Sequence, residues 1–173
     1  MVPLRLVLLL VAVGLPTSLA TGGCRSPFLP YLNQYCLHTV IFYKLDGTGK
    51  PLKWSEAQHH CKTLGGSLAI LDRPEKLEYV SGLLDSSHPA ETKAGYIYWL
   101  GGVRHGTSSA WKWGDNTVIS LTSNLWSPSN PSKTPGTRYV MLVPVDQVHG
   151  RRFLVDYSED QTAPAFICES KLT

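Results

Sequence analysis

His59, His60 and Cys61 stand side by side in this chain. Two imidazoles and a thiol are the groups that ligate zinc or act as base and nucleophile. The spacing argues against both uses. Within Trp54–Gly66, residues Ala57, Cys61 and Leu64 recur at i, i+4 and i+7 and so share one face of a helix. His59 and His60 then fall on the outer faces, and adjacent residues cannot chelate one ion as an i, i+4 pair does. Ser55 with Gln58 three residues on reads as a capping box, and Gly65-Gly66 supplies a helix end. Neither a Gly-x-Ser-x-Gly turn, a phosphate-cradling loop nor a His-Glu-x-x-His pair occurs. The expectation is a non-enzymatic protein in which this helix anchors the fold through Cys61.

Residues 1–20 set the compartment. Arg5 precedes an apolar run from Leu6 to Leu15, and Ser18-Leu19-Ala20 offers small residues for cleavage. This pattern reads as a secretory signal peptide, too short to span a membrane, and predicts a secreted, extracellular protein. Its removal takes Arg5 with it and lowers the formal charge from +3 to +2. So small a net charge points to no nucleic-acid partner. The remaining residues, 21–173, suffice for one domain with its own core. They carry all four cysteines: Cys24, Cys36, Cys61 and Cys168. An even count in an oxidising compartment implies two disulfides with three possible connectivities, and the short-and-long pairing of 24 with 36 and 61 with 168 is favoured. No pair sits two to four residues apart, as a zinc site requires.

The elements that position these residues follow in order. Cys24–Cys36, with Pro27 and Pro30, suits a stapled hairpin over 21–36. Leu37–Leu45 reads as a strand ending in the Asp46–Gly49 turn. After the Trp54 helix come a short strand, Ser67–Leu71, and a second capping signature at Asp72-Arg73-Pro74-Glu75. Leu77, Val80 and Leu84 continue it as a helix, with Asp85–Gly95 a loop. Tyr96–Gly102 is the strongest strand signal, and Ala110–Trp113 alternates as its partner. Ser120–Thr137 is a long polar loop around Trp126, of the kind that usually carries function. Tyr139–Val145, Arg152–Tyr157 and Ala165–Glu169 close the chain as strands, the first two joined at a Gln147–Gly150 turn.

Several motifs in this order resemble the C-type lectin-like domain family over nearly all of 21–173. They are Trp54-Ser-Glu-Ala with Cys61 and Leu64-Gly-Gly-Ser-Leu-Ala, Trp99-Leu-Gly-Gly, Trp111-Lys-Trp-Gly-Asp, Trp126-Ser-Pro-Ser-Asn-Pro-Ser and Phe166-Ile-Cys-Glu. The resemblance implies an α+β fold with two helices, small antiparallel sheets and a long irregular loop. It implies that Cys61 pairs with Cys168, and that Cys24 and Cys36 form the extra N-terminal bond of the family's long form. The family's inner disulfide would fall near Tyr139 and Ser158 or Glu159, where this chain has no cysteine. The loop is therefore expected to be held by tryptophan and strand packing alone, and to move more than usual.

In calcium-dependent lectins of this family the loop carries Glu-Pro-Asn or Gln-Pro-Asp, and a later strand carries Asn-Asp. Alignment on Trp126 puts Asn130-Pro131-Ser132 at the triplet and Val155-Asp156 at the pair. Calcium takes 6–8 oxygens, and the charge of its ligands helps set affinity. With Asp156 the one carboxylate, Asn130 and Asp156 make weak calcium candidates, and no cofactor is required. The resemblance implies that Pro131 is cis. Proline also blocks Asn130-Pro131-Ser132 as a glycosylation sequon.

The binding candidates are Trp126, Asn130, Pro131, Ser132, Arg138 and Asp156, with Tyr139 expected beside them as part of an aromatic and guanidinium surface. Arg104, His105, His149, Arg151 and Arg152 mark two basic turns, while Trp54, Trp99, Trp111 and Trp113 are assigned to the core. The expected function is recognition of glycans on cell or microbial surfaces, in an innate-defence role that the resemblance implies, with little or no calcium dependence. The competing expectation is a calcium-independent module that binds a protein. Replacing Cys61 or Cys168 by Ala should cost about 2–5 kcal/mol and reduce secreted yield. Normal yield with an unchanged melting temperature would refute their pairing.

Overall fold

The computed structural model describes residues 23–32, 34–106, 109–145 and 151–172. The leader expectation and the Gln147–Gly150 turn lie outside these residues. The chain runs through β1 (Leu29–Tyr31), β2 (Tyr35–Ile41), β3 (Leu52–Lys53), α1 (Trp54–Thr63), β4 (Ser67–Leu68), α2 (Pro74–Ser87) and α3 (Pro89–Lys93). It continues through β5 (Tyr98–Val103), β6 (Thr137–Pro144), β7 (Arg152–Ser158), β8 (Thr162–Ala163) and β9 (Ala165–Lys171). The fold is α+β.

Strand β9 is the hub of the main sheet. One edge pairs antiparallel with β2 over its whole length, from Tyr35 opposite Lys171 to Ile41 opposite Ala165. The other edge pairs with β5 in parallel at Trp99–Phe166, then with β4 at Leu68–Cys168. The sheet order is β1-β2-β9-β5-β6-β7, and β3 with β8 forms a separate small ribbon. Gly101 and Gly102 allow this crowding. A Cβ on Gly101 would lie 2.6 Å from Leu68 O, and one on Gly102 would lie 2.4 Å from a Val140 methyl.

Period-two alternation sorts the core into two layers. Tyr98, Leu100, Val140, Leu142, Ala165 and Ile167 face one side with Leu77, Val80 and Leu84 of α2. Trp99, Met141, Phe166 and Cys168 face the other with Ala57 and Cys61 of α1. The disulfides follow this plan: Cys24 is bonded to Cys36, and Cys61 to Cys168 across 107 positions.

Helix α1 ends as its glycines lead one to expect, with Gly65 at φ +83° and Gly66 N–H donating to Cys61 O at 2.9 Å. Its start differs from the capping box expected at Ser55. Lys53 is the N-cap residue, and Glu56 Oε2 accepts the Lys53 N–H at 2.8 Å. Gln58, freed from capping, accepts the Leu68 N–H at 2.9 Å and ties β4 to the helix. The second capping signature also shifts: α2 begins at Pro74 after Arg73, with no side-chain cap. Part of the expected Asp85–Gly95 loop is helical, because α2 runs to Ser87 and Pro89 starts α3 with a pre-set φ. Ala110–Trp113 forms only isolated bridges at Lys112, to Val103 and Val118, since Trp111 and Trp113 turn into the core.

Lys76 is fully buried among these layers. Its Nζ contacts both Glu169 oxygens at 2.8 Å and lies 4.1 Å from the Tyr35 ring centroid, while Glu169 also accepts the Ile70 N–H. Removing one partner of such a pair strands the other charge. Lys76→Met should lower unfolding free energy by about 3–5 kcal/mol in denaturant titration. A loss within experimental error would show that Glu169 does not depend on it.

Candidate functional site

The long loop is stitched to β7 along its first half. Leu154 N–H donates to Leu125 O at 2.8 Å, and Ser127 N–H returns a bond to Leu154 O at 2.9 Å. Trp126 is drawn inward by these bonds. It is 5% exposed, meets Trp111 edge-on at 5.5 Å, and donates its indole N–H to Ser120 O at 3.0 Å. The expectation of Trp126 as a flat binding surface is therefore corrected: its face belongs to the core. Tyr139 does not join it either, because it stacks on Trp54 at 4.5 Å on the opposite side of the sheet. Trp126 and Tyr139 thus belong to separate layers and form no common platform.

The second half of the loop closes on Asp156. The bond Asn130–Pro131 is cis, as the resemblance implied, and delivers Ser132 to the β7 carboxylate. Ser132 N–H donates to Asp156 Oδ1 at 2.7 Å, and Ser132 Oγ–H donates to Oδ2 at 2.8 Å. Both carboxylate oxygens are engaged, and Asp156 is 6% exposed. Asn130 contributes only a long contact, Nδ2–H to Pro128 O at 3.4 Å. The donor set fits a calcium ion poorly, since its single carboxylate is committed to Ser132 and Val155 offers no side-chain oxygen. Among the described residues no group of three or more His, Cys, Asp or Glu could hold a metal.

Packing is not the loop's only support, contrary to the expectation. Arg104, expected in a basic turn, is buried over the Trp111 ring at 4.8 Å. Its Nη2 donates to Thr137 O at 3.0 Å and Thr137 Oγ1 at 2.8 Å, clamping the loop exit. Arg152 is buried as well, donating to Ser81 O and Thr92 Oγ1 and pairing with Asp85 at 2.8 Å. A guanidinium can be buried when its fork is matched by acceptors, and neighbours distant in sequence supply them here. His105 and Arg151 remain exposed, and His149 lies outside the described residues. Arg138 is exposed and reaches Glu159 at 3.4 Å, near where the resemblance would place an inner disulfide. An exposed pair of this kind contributes only about 0–1 kcal/mol.

Comparison with known proteins places this architecture. The sequence matches the family described as Lectin C-type domain over residues 50–170. The chain belongs to the C-type lectin domain family. Solved relatives share its fold at low identity. The C-type lectin domain of murine dendritic cell inhibitory receptor 2, solved in complex with an N-glycan, is 16% identical, with TM-score 0.64 over 86% of this chain and 99% of that one. A calcium-independent type II antifreeze protein is 20% identical, with TM-score 0.64 over 87% and 95%. Human lithostathine is 21% identical, with TM-score 0.66 over 94% and 99%.

The brace predicts its own failure. Asp156→Ala leaves Ser132 N–H and Oγ without their acceptor, and should cost about 2–3 kcal/mol and speed amide exchange at Ser132 and Thr134. Unchanged exchange would show that the loop closes by other means.

Proposed function

We propose that this protein is a secreted C-type lectin domain that recognises glycans on cell or microbial surfaces without calcium. Residues 1–20 act as the leader, 21–173 form the recognition domain, and 21–36 its stapled hairpin. Secretion is supported by the apolar run Leu6–Leu15 and by two disulfides, which persist in oxidising compartments. No helix among the described residues is long and apolar enough to cross a membrane.

The observation that carries calcium independence is the double hydrogen bond between Ser132 and Asp156. It satisfies the charge that an ion would otherwise neutralise. The antifreeze relative is calcium-independent on this same fold, and the murine receptor domain is a glycan binder on it. Around the brace, the cis Pro131 turn presents Asn130 and Ser132 beside the exposed Arg138, and Asn130 and Arg138 offer polar side chains. An innate-defence role accords with such a recognition domain.

A second reading, a module that binds a protein, is favoured by one observation. Val118 and Leu121, flanking the start of the loop, are 64% and 66% exposed. Apolar side chains held in water in this way suit a protein contact.

A glycan array and a bacterial agglutination assay, each run in calcium and in EDTA, separate these readings. We expect equal signal in both conditions. Signal abolished by EDTA would contradict calcium independence, and no signal in either would remove the glycan reading and leave the protein-binding one.

A further inference from the structure

Away from the long-loop brace, α2, the start of β7 and the Asn124–Leu125 segment enclose a cleft of about 350 Å³. From the glycan-binding reading above, on which this step rests, we infer that this cleft is the sugar subsite and takes a neutral mono- or disaccharide unit.

Three features of the cleft point to a ligand. Ser81 lines it, and the Ser81 hydroxyl is buried without a hydrogen-bond partner. Buried polar groups are nearly always satisfied, so an unmet one just behind a cleft wall marks a point where a small shift of α2 would let a bound hydroxyl supply the bond. Gly82, one residue on, is a mid-helix glycine, which weakens a helix relative to alanine. No close approach requires it, since a Cβ there would meet nothing within 4 Å. Its missing side chain keeps the cleft open. Finally, Arg152 fixes the wall: bound to Ser81 O and Thr92 Oγ1, it holds Asp85 at 2.8 Å while 39% of the Asp85 side chain stays exposed.

The lining selects the ligand class. Glu78 and Asp85 provide carboxylate acceptors, while Asn124 and the exposed Arg151 provide donors. Leu77, Leu125 and Phe153 provide apolar surface. An anion would face Glu78 and Asp85, and a cation would face Arg151. A pyranose meets both signs, because each hydroxyl both donates and accepts and the ring presents a C–H face to apolar side chains. The volume sits at the lower end of the roughly 300–1,000 Å³ typical of ligand sites, which suits one or two rings.

The test is the glycan array in EDTA with the full chain and five variants. Wild type and Gly82→Ala should bind alike. Gly82→Leu, which fills the cleft, and Glu78→Gln and Asn124→Ala, which remove surface contacts, should each lose about tenfold in affinity. Gly82→Leu should melt no lower than wild type, so its loss cannot be ascribed to unfolding. Wild-type binding that survives all three of these variants but falls with Ser132→Ala would overturn the cleft and place the sugar on the long loop. That outcome leaves glycan recognition standing. Absence of wild-type binding would overturn both.

Discussion

A chain that bonds a helix cysteine to a strand cysteine 107 positions later must route everything between them around that bond. Here the bond joins α1 to β9, and β9 is also the strand that three others share. In the chain-entropy account, closing a loop of about 100 residues removes about 4.7 kcal/mol of disorder from the unfolded chain. The buried Lys76–Glu169 pair lies one residue beyond Cys168 and ties α2 to the same strand. Two helices on opposite faces of one sheet are thus both fastened to β9. The long loop leaves and re-enters a frame whose ends are already fixed.

That frame explains how the loop is held without a further disulfide. Its entry is sewn to β7 around Trp126, its exit is clamped by Arg104, and its middle is closed by Ser132 on Asp156. Each contact uses groups already in the chain. A buried carboxylate needs partners. Two donors from one serine provide them, and the turn at Pro131 is joined to β7. The loop's polar groups then largely satisfy one another, while the cleft beside α2 retains a serine hydroxyl with its bond unmade.

The sequence made the frame legible and the site much less so. Alternation in Tyr98-Trp99-Leu100 and the motif around Cys61 carry the sheet and helix directly, because burial periodicity and cysteine count survive in one dimension. The burial of Trp126 is not legible, because an aromatic residue in a polar stretch looks the same whether its ring faces water or core. Only the Leu125–Leu154 bond decides which. The burial of Arg104 and Arg152 is hidden for a related reason. A charge reads as solvent-exposed until its acceptors, 33 positions away at Thr137 and 71 at Ser81, are brought to it. The α2 cleft left no sequence signal beyond Gly82, which reads as ordinary helix tolerance until the space beside it is seen.

Thermal unfolding in millimolar calcium against EDTA asks whether Asp156, already held by Ser132, still takes an ion. An ion bound at a hundred times its dissociation constant would add about 2.7 kcal/mol of stability. The melting temperature is expected to be the same in both buffers. A rise of several degrees with calcium, abolished in Asp156→Asn, would contradict it.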